Sequence, residues 1–288
     1  MPGKAITEID HLLTSVHDLD RAASLFRRTG FTLSPISRID SMGISNHLVL
    51  MTPPTSGIGN YIELMSSHNP ANLPPPMVKT LAGAEGIKSM VLVAPDIEPA
   101  REAIRAAGFA ADAPFHVRRE WVVAPGESVF PEFDVMLPVD APLTFNCCRY
   151  YNVDLYLRPD WLKHENGARR LCSVIAVARD PFAVAEPLGR LFGDLHSGPD
   201  MVRTSPGKVD LMIHNPDSLH EKFGVDAGEM GAGGARFVGY VIEVESRDRL
   251  KACLDRGGVP YRTIGDDLAV GPADGLGNLI VFTSEPGT

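Results

Sequence analysis

Four stretches of the chain share one order of hydrophobic and polar positions. In each, a short apolar run leads to an acidic or hydroxyl residue, then to apolar side chains at helical spacing, and then to glycine. The polar residues that precede the helical spacing are typical helix N-caps, and the glycines suit left-handed helix ends. The pattern therefore predicts a strand followed by a helix in each stretch. The stretches are 9–31, 87–109, 172–193 and 238–258, with N-caps Asp18, Asp96, Asp180 and Ser246.

Shorter runs of strand character, separated by turn residues, follow each predicted helix. The first module offers 31–37, 46–51 and 61–65, and the second offers 116–123, 133–139 and 144–150. The third offers only 201–205 and 208–214, one strand short, and the fourth offers 259–264, 267–270 and 279–283. A strand, a helix and three strands thus recur four times, which predicts an α+β fold built from repeats.

The repeats define the predicted domains. The modules span 9–66, 86–151, 170–214 and 235–284, with linkers near 67–76 and 158–169. Two modules per domain predict an N-terminal domain over 1–157 and a C-terminal domain over 158–288.

Two polar side chains interrupt apolar strands in the first module. Because strand side chains alternate, His11 shares a face of its strand with Ile9 and Leu13, and Glu63 shares a face of its strand with Tyr61 and Met65. A buried carboxylate costs free energy unless a cation or hydrogen-bond donors accompany it. An imidazole and a carboxylate converging from two strands suit Fe(II), Mn(II), Ni(II) or Zn(II). The alternative is a histidine with one hydrogen bond in the core and a glutamate facing solvent.

Several short motifs resemble the vicinal oxygen chelate (VOC) superfamily, which includes glyoxalase I, extradiol dioxygenases and fosfomycin or bleomycin resistance proteins. Within it, the chain is most similar to glyoxalase-like domain proteins. The resemblance implies four βαβββ modules forming two VOC-type half-barrel domains, with a divalent metal in the cup of a barrel. The motifs are Ile9-Asp10-His11, Asp18-Leu19-Asp20, Gly43-Ile44-Ser45-Asn46, Tyr61-Ile62-Glu63-Leu64, Arg158-Pro159-Asp160-Trp161 and His164-Glu165-Asn166-Gly167-Ala168.

A catalytic metal usually has three protein ligands, so His11 and Glu63 need a partner. Aligned on strand ends, the other modules place Ser89, Ser173 and Gly239 at the His11 position. At the Glu63 position they place Cys148 or Tyr150, then Asp210, then Val281. The family expectation of paired histidines before Arg158 is not met, because the chain reads Arg149-Tyr150-Tyr151-Asn152 there.

Four other residues are candidates for the site. His47 follows Asn46 and enters the cup unless alternation aims it outward. His164 is a further candidate ligand, with turn capping as its alternative role. Arg149 and Tyr150 are candidates for binding an anionic or enolic oxygen, beside Glu63 as ligand or proton-transfer base.

Two functions fit these residues. One is a metal-dependent enzyme acting on a small oxygenated organic substrate by chelation of adjacent oxygens, with lyase or isomerase chemistry favoured over ring-cleaving dioxygenase chemistry. The dioxygenase version requires a second histidine, which the pattern does not supply. The other is a metal-free protein of the same fold that binds or sequesters a small molecule.

Composition narrows the partners. The 288 residues carry a net charge of −9 without a basic run, which argues against nucleic acid. No apolar stretch is long enough to span a membrane, and the N-terminal sequence has no signal-peptide pattern. Four cysteines without CxxC spacing are typical of reduced thiols. We therefore expect a cytoplasmic protein, and the resemblance allows a homodimer.

Overall fold

The structure, a computed structural model, describes residues 4–231 and 233–284. The N-terminal half contains β1 (Glu8–Ser15), α1 (Leu19–Arg28), β2 (Ser37–Ile39), β3 (Ile44–Leu50), β4 (Tyr61–Ser67), α2 (Pro75–Leu81), β5 (Gly86–Val93), α3 (Ile97–Ala106), β6 (Phe115–Arg118), β7 (Trp121–Ala124), β8 (Glu127–Val129), β9 (Glu132–Val139) and β10 (Phe145–Tyr150). The C-terminal half contains β11 (Ala168–Ala178), α4 (Pro181–Phe192), β12 (His196–Ser197), β13 (Met201–Thr204), β14 (Asp210–His214), α5 (Pro216–Phe223), β15 (Ala235–Val244), α6 (Arg247–Gly257), β16 (Arg262–Ile264), β17 (Asp267–Val270) and β18 (Leu279–Thr283).

Each half forms a curled eight-stranded sheet. The strand orders are β2-β3-β4-β1-β5-β10-β9-β6 and β12-β13-β14-β11-β15-β18-β17-β16, so both sheets follow one plan. The predicted α+β fold with two half-barrels is confirmed. The strand that seemed absent from the third module is β12, which is only two residues long.

The helix ends follow from local sequence. Asp18, Asp180 and Ser246 accept a backbone hydrogen bond in the first turns of α1, α4 and α6, as predicted for N-caps. Asp96 stands at the N-cap of α3, but in the described structure its side chain makes no capping hydrogen bond. Glycines with positive φ follow the helices, because this conformation strains other residues.

A bulge in β1 decides which side chains enter the N-terminal cup. Ile9 pairs with Leu92 and His11 pairs with Val91, which leaves Asp10 as an extra residue. Ile9 therefore packs in the core with Leu12, whereas His11 faces the cup. The predicted alternation was wrong for Ile9, because an inserted residue reverses the period of two.

The two cups are covered differently. In the C-terminal half, Leu219 and Phe223 of α5 pack on part of the concave face of the sheet, and a cleft lined by Ser173 and Met212 stays open beside them. In the N-terminal half, Trp121 and Val123 of the β7–β8 hairpin cover only one side of the cup, next to Tyr156. The N-terminal cup therefore keeps an open pocket.

The predicted linkers and strands missed some elements. The proline run at 74–76 begins α2, because proline suits the first turn of a helix. Asn215 caps α5 by accepting from the backbone of Ser218. The predicted strand 116–123 is divided into β6 and β7, and Arg119 lies at the break.

One hydrophobic core joins both halves. Phe31 of the N-terminal half stacks on Phe282 of the C-terminal half, with ring centroids 6.1 Å apart. The two sheets lie on either side of the predicted boundary at 157/158, and the domain limits themselves stay a prediction. Those limits also take in residues 1–3, 232 and 285–288, which lie outside the described residues. Among the described residues, no helix is long and apolar enough to cross a membrane.

Candidate functional site

The pocket lies on the concave face of the N-terminal sheet and has a volume of about 90 Å³. Strand alternation directs His11, Glu63 and Asn146 into it from β1, β4 and β10. Its other walls are mostly apolar: Leu13, Ile39, Met42, Ile44, Leu48, Met65, Met77, Val91, Phe133, Val135 and Leu137. A few polar groups in an apolar cleft are typical of a small-molecule site.

Asp10 holds the imidazole of His11. Nδ1 of His11 donates to Oδ2 of Asp10 over 2.7 Å, and Asp10 is completely buried. Burial by itself would lower the pKa of His11, but the hydrogen bond to Asp10 and the charges of Asp10 and Glu63 outweigh it and raise the pKa to about 8. His11 is therefore a cation at neutral pH, stacked on the ring of Tyr61 with centroids 4.1 Å apart.

Two tyrosines extend this network. The hydroxyl of Tyr150 donates to Asp10 over 2.9 Å, and the Tyr61 hydroxyl lies 3.2 Å from that of Tyr150. Burial and the charge of Asp10 raise both tyrosine pKa values well above 10. Both hydroxyls therefore stay protonated. Gly59 donates its backbone N–H to Asp10, and a Cβ there would lie 2.9 Å from the carboxylate oxygen.

Glu63 faces His11 across the pocket. Its Oε2 lies 3.6 Å from Nε2 of His11, which is an ion pair but too long for a hydrogen bond. Its Oε1 accepts from Nδ2 of Asn46 over 2.6 Å. One carboxylate oxygen is thus fixed by an amide, and the other is left facing the imidazole.

The register between β1 and β5 identifies the counterpart of His11 in the second module. His11 pairs with Val91 and Leu13 pairs with Ser89, so a local twofold axis exchanges His11 with Ser89. This confirms the match made from strand ends.

The same axis corrects the predicted counterpart of Glu63. Glu63 lies opposite Leu13, and Asn146 lies opposite Val91, so Asn146 takes the position that had been assigned to Cys148 or Tyr150. Alignment on strand ends alone could not find this position, because it depends on strand pairing. The hydroxyl of Ser89 lies 2.5 Å from Oδ1 of Asn146.

The C-terminal cup has no comparable residues. The pairing of β11 with β14 and β15 places Ser173, Met212, Gly239 and Val281 at the four equivalent positions. Met212 therefore replaces the predicted Asp210.

The residues present do not fit the divalent metal that the family resemblance implies. The four positions that the local axis relates in the N-terminal cup hold an imidazole, a carboxylate, a hydroxyl and an amide, from His11, Glu63, Ser89 and Asn146. The amide oxygen Oδ1 of Asn146 already accepts a hydrogen bond from Ser89. Over residues 4–231 and 233–284, no three His, Cys, Asp or Glu side chains form a group able to hold a metal. Two strong ligands fall short of the usual three.

Three of the predicted site residues lie elsewhere. His47 is on the opposite face of β3, where Nδ1 contacts the carbonyl oxygen of Ser34 over 2.8 Å. His164 is bonded through both ring nitrogens, to the backbone N–H of Thr32 and the carbonyl of Leu50, and burial lowers its pKa to about 4. Neither histidine lines the pocket, so neither is placed to be a metal ligand there.

Arg149 is on the opposite face of β10 from the pocket. It donates to the hydroxyl of Tyr151 and lies 3.9 Å from Asp134, so it does not reach the pocket. Tyr150 does reach it, but its hydroxyl donates to Asp10.

The sequence reasoning missed four residues of this site: Asp10, Asn46, Arg119 and Asn146, the last of which only the strand pairing identifies. Asp10 and Asn46 stand inside two of the quoted motifs, and their polar side chains within apolar strands could have drawn attention. Arg119 also lines the pocket, and its only signal is that it interrupts a strand-like run.

The profile of the glyoxalase-like domain family matches residues 9–192, which is well over half of the chain. The chain belongs to the glyoxalase-like domain family. A search of curated proteins finds no match to this glyoxalase-like chain.

Solved structures share the fold of this glyoxalase-like protein at low identity. A hypothetical protein from Staphylococcus aureus is 12% identical with a TM-score of 0.67, covering 95% of this chain and 98% of that one. A xylose isomerase-like TIM barrel/4-hydroxyphenylpyruvate dioxygenase fusion protein is 15% identical with a TM-score of 0.54, covering 90% of this chain and 40% of that one. A Streptomyces coelicolor methylmalonyl-CoA epimerase is 19% identical over 51% of this chain and 97% of its own, but its TM-score of 0.40 carries no argument. At these identities the likenesses establish the fold alone.

Proposed function

We propose that this glyoxalase-like protein is an enzyme that moves a proton on a small oxygenated organic substrate in the N-terminal pocket, with isomerase or lyase chemistry. One observation carries the proposal: the free oxygen of Glu63 faces the Asp10-bound imidazolium of His11 in an apolar pocket. A base beside a fixed cation is suited to removing a proton next to a carbonyl group.

The chemical step needs only the residues present. Oε2 of Glu63 takes a proton from the carbon beside the carbonyl, the C–H bond breaks, and its electron pair moves onto the carbonyl oxygen to give an enolate. His11, as a cation, and Asn146, as an amide donor, face the same pocket and stabilise that oxygen. Glu63 then returns the proton to carbon. Asp10 is a positioning residue, because it holds His11 in the orientation that directs Nε2 into the pocket.

Exchange of carbon-bound hydrogen in D₂O tests the proposal. The probes are 2-oxobutanoate, 2-oxobutanamide and hydroxyacetone, followed by NMR with the spontaneous rate subtracted. We expect enzyme-dependent exchange with at least one probe, and a loss of about 100-fold or more in Glu63→Gln, since general bases contribute at least that much. Glu98→Gln, on an exposed position of α3, is the control and should keep the rate. No exchange with any probe, or equal exchange in Glu63→Gln, would contradict the proposal.

The same samples address the two alternatives. A protein that binds the probes without exchanging them would instead be the binding protein of the second interpretation. Because the donor set lacks a third strong ligand, we expect less than one divalent metal per chain after purification without chelators. A bound metal that is lost in both His11→Gln and Glu63→Gln would support the metal-dependent enzyme instead.

A further inference from the structure

Arg119 brings a positive charge to the edge of the pocket. It lies in the break between β6 and β7, and its backbone N–H donates to Pro131, which fixes the start of the hairpin. The guanidinium lies over the ring of Trp121, with its central carbon 5.5 Å from the centroid. Its Nη1 donates to the hydroxyl of Ser37.

This guanidinium has no carboxylate partner. Its Nε is buried and makes no hydrogen bond, and across the described ranges no Asp or Glu forms an ion pair with Arg119. The other cation of the pocket, His11, is paired with both Asp10 and Glu63. A charged group partly removed from water is stabilised by an opposite charge, so Arg119 is the position where an anion would be bound.

Arg119 is also close to the reacting groups. Ser37, which it contacts, lies directly opposite Asn46 in the pairing of β2 with β3. Asn46 in turn donates to Glu63. Directly paired residues in an antiparallel sheet are about 5 Å apart, so an anion bound by Arg119 would lie near a small molecule that contacts Glu63.

We propose that Arg119 binds the carboxylate of the substrate, which makes the substrate a small organic acid with an apolar body. The inference rests on the proposed function, because it names the substrate class of the same pocket. Guanidinium groups bind carboxylates through two parallel hydrogen bonds, and the pocket-lining position of Arg119 suits this role. The apolar walls, such as Met65, Met77 and Leu137, would contact the rest of the molecule.

Binding of matched acids and amides tests this inference without requiring turnover. The probes are butanoate and 2-oxobutanoate, each compared with its uncharged amide, in an NMR titration that follows the indole N–H of Trp121 next to Arg119. We expect the wild-type protein to bind each acid at least tenfold more tightly than its amide. Equal binding of acid and amide, or binding of neither, would overturn the inference whatever any variant does.

Two neighbouring arginines provide the matched variants. Arg119→Gln should weaken acid binding at least tenfold and leave amide binding unchanged, and Arg119→Lys should be intermediate because lysine cannot form the paired hydrogen bonds. Arg118→Gln is the control, since Arg118 is exposed and lies over Phe130 outside the pocket. Unchanged acid binding in Arg119→Gln would also overturn the inference.

The outcome is separable from that of the proposed function. Selective acid binding that depends on Arg119, without hydrogen exchange, would reject proton transfer and keep the carboxylate site. Hydrogen exchange that depends on Glu63, with equal rates and equal binding for acid and amide, would instead keep proton transfer and reject the carboxylate site.

Discussion

At the scale of single residues, the state of His11 depends on side chains that are close in space. Asp10 is its neighbour in sequence, yet the two can contact each other only because the bulge in β1 removes Asp10 from the regular alternation. Glu63 and Asn46 come from two further strands. The charge of the imidazole is therefore a property of the folded cup.

This charge predicts a dependence of stability on pH. The pKa of His11 rises from its ordinary 6.5 to about 8 in the folded protein, so the folded state binds the proton more tightly than the unfolded state. The resulting stabilisation, about 2 kcal/mol, is fully present below pH 6.5 and is lost as the pH rises through 8. Urea unfolding between pH 6 and 8 should show this decline in the wild-type protein, because the buried cysteines, whose pKa values are raised, affect stability only at higher pH.

The matched variants are His11→Gln, which should remove the decline, and His116→Gln on the exposed edge strand, which should keep it. His164 and His214 have pKa values lowered to about 4 in the folded protein. Their effect on the free energy of unfolding is therefore confined to pH values below about 6.5, where they make stability increase as the pH rises. A decline of the same size in His11→Gln would show that another group titrates there.

At the scale of elements, one short helix distinguishes the packing of the two cups. Helix α5 places Leu219 and Phe223 in the C-terminal cup, and Phe223 contacts the ring of His214 edge-on at 5.4 Å. Phe223→Ala should lower the free energy of unfolding by about 3–5 kcal/mol, because it leaves a cavity in a packed core. Phe182→Ala, at a position 49% exposed on α4, should cost much less. Urea unfolding followed by circular dichroism compares the two, and similar losses would mean that α5 is not packed as described.

At the scale of the whole molecule, polar contacts as well as the shared core join the halves. Glu8 of β1 accepts hydrogen bonds from the backbone N–H groups of Lys208 and Val209. The side-chain amide of Asn60 donates to the carbonyl oxygen of Leu171 and accepts from the backbone N–H of the same residue. Because these groups are buried, separating the halves would leave them unpaired. A homodimer stays a prediction that light scattering can test.

The shared core predicts one unfolding transition. Both tryptophans, Trp121 and Trp161, lie beside the N-terminal cup and report on that half. If the halves unfold together, Phe223→Ala in the C-terminal half should move the midpoint of tryptophan fluorescence as far as that of circular dichroism. A fluorescence midpoint that stays at the wild-type value would show independent unfolding.

The repeated modules, the helix caps and the pair His11 and Glu63 could be predicted from the sequence, because hydrophobic period and capping residues are local properties of the chain. The bulge at Asp10, the match of Glu63 with Asn146 and the positions of His47 and Arg149 could not, because strand register depends on pairing between distant segments. Only the tertiary structure packed α5 against one cup, left an apolar pocket around His11 and Glu63 in the other, and placed Arg119 at its edge with no carboxylate partner among the described residues. Which groups lack a partner depends on everything packed around them, and no local pattern contains that information.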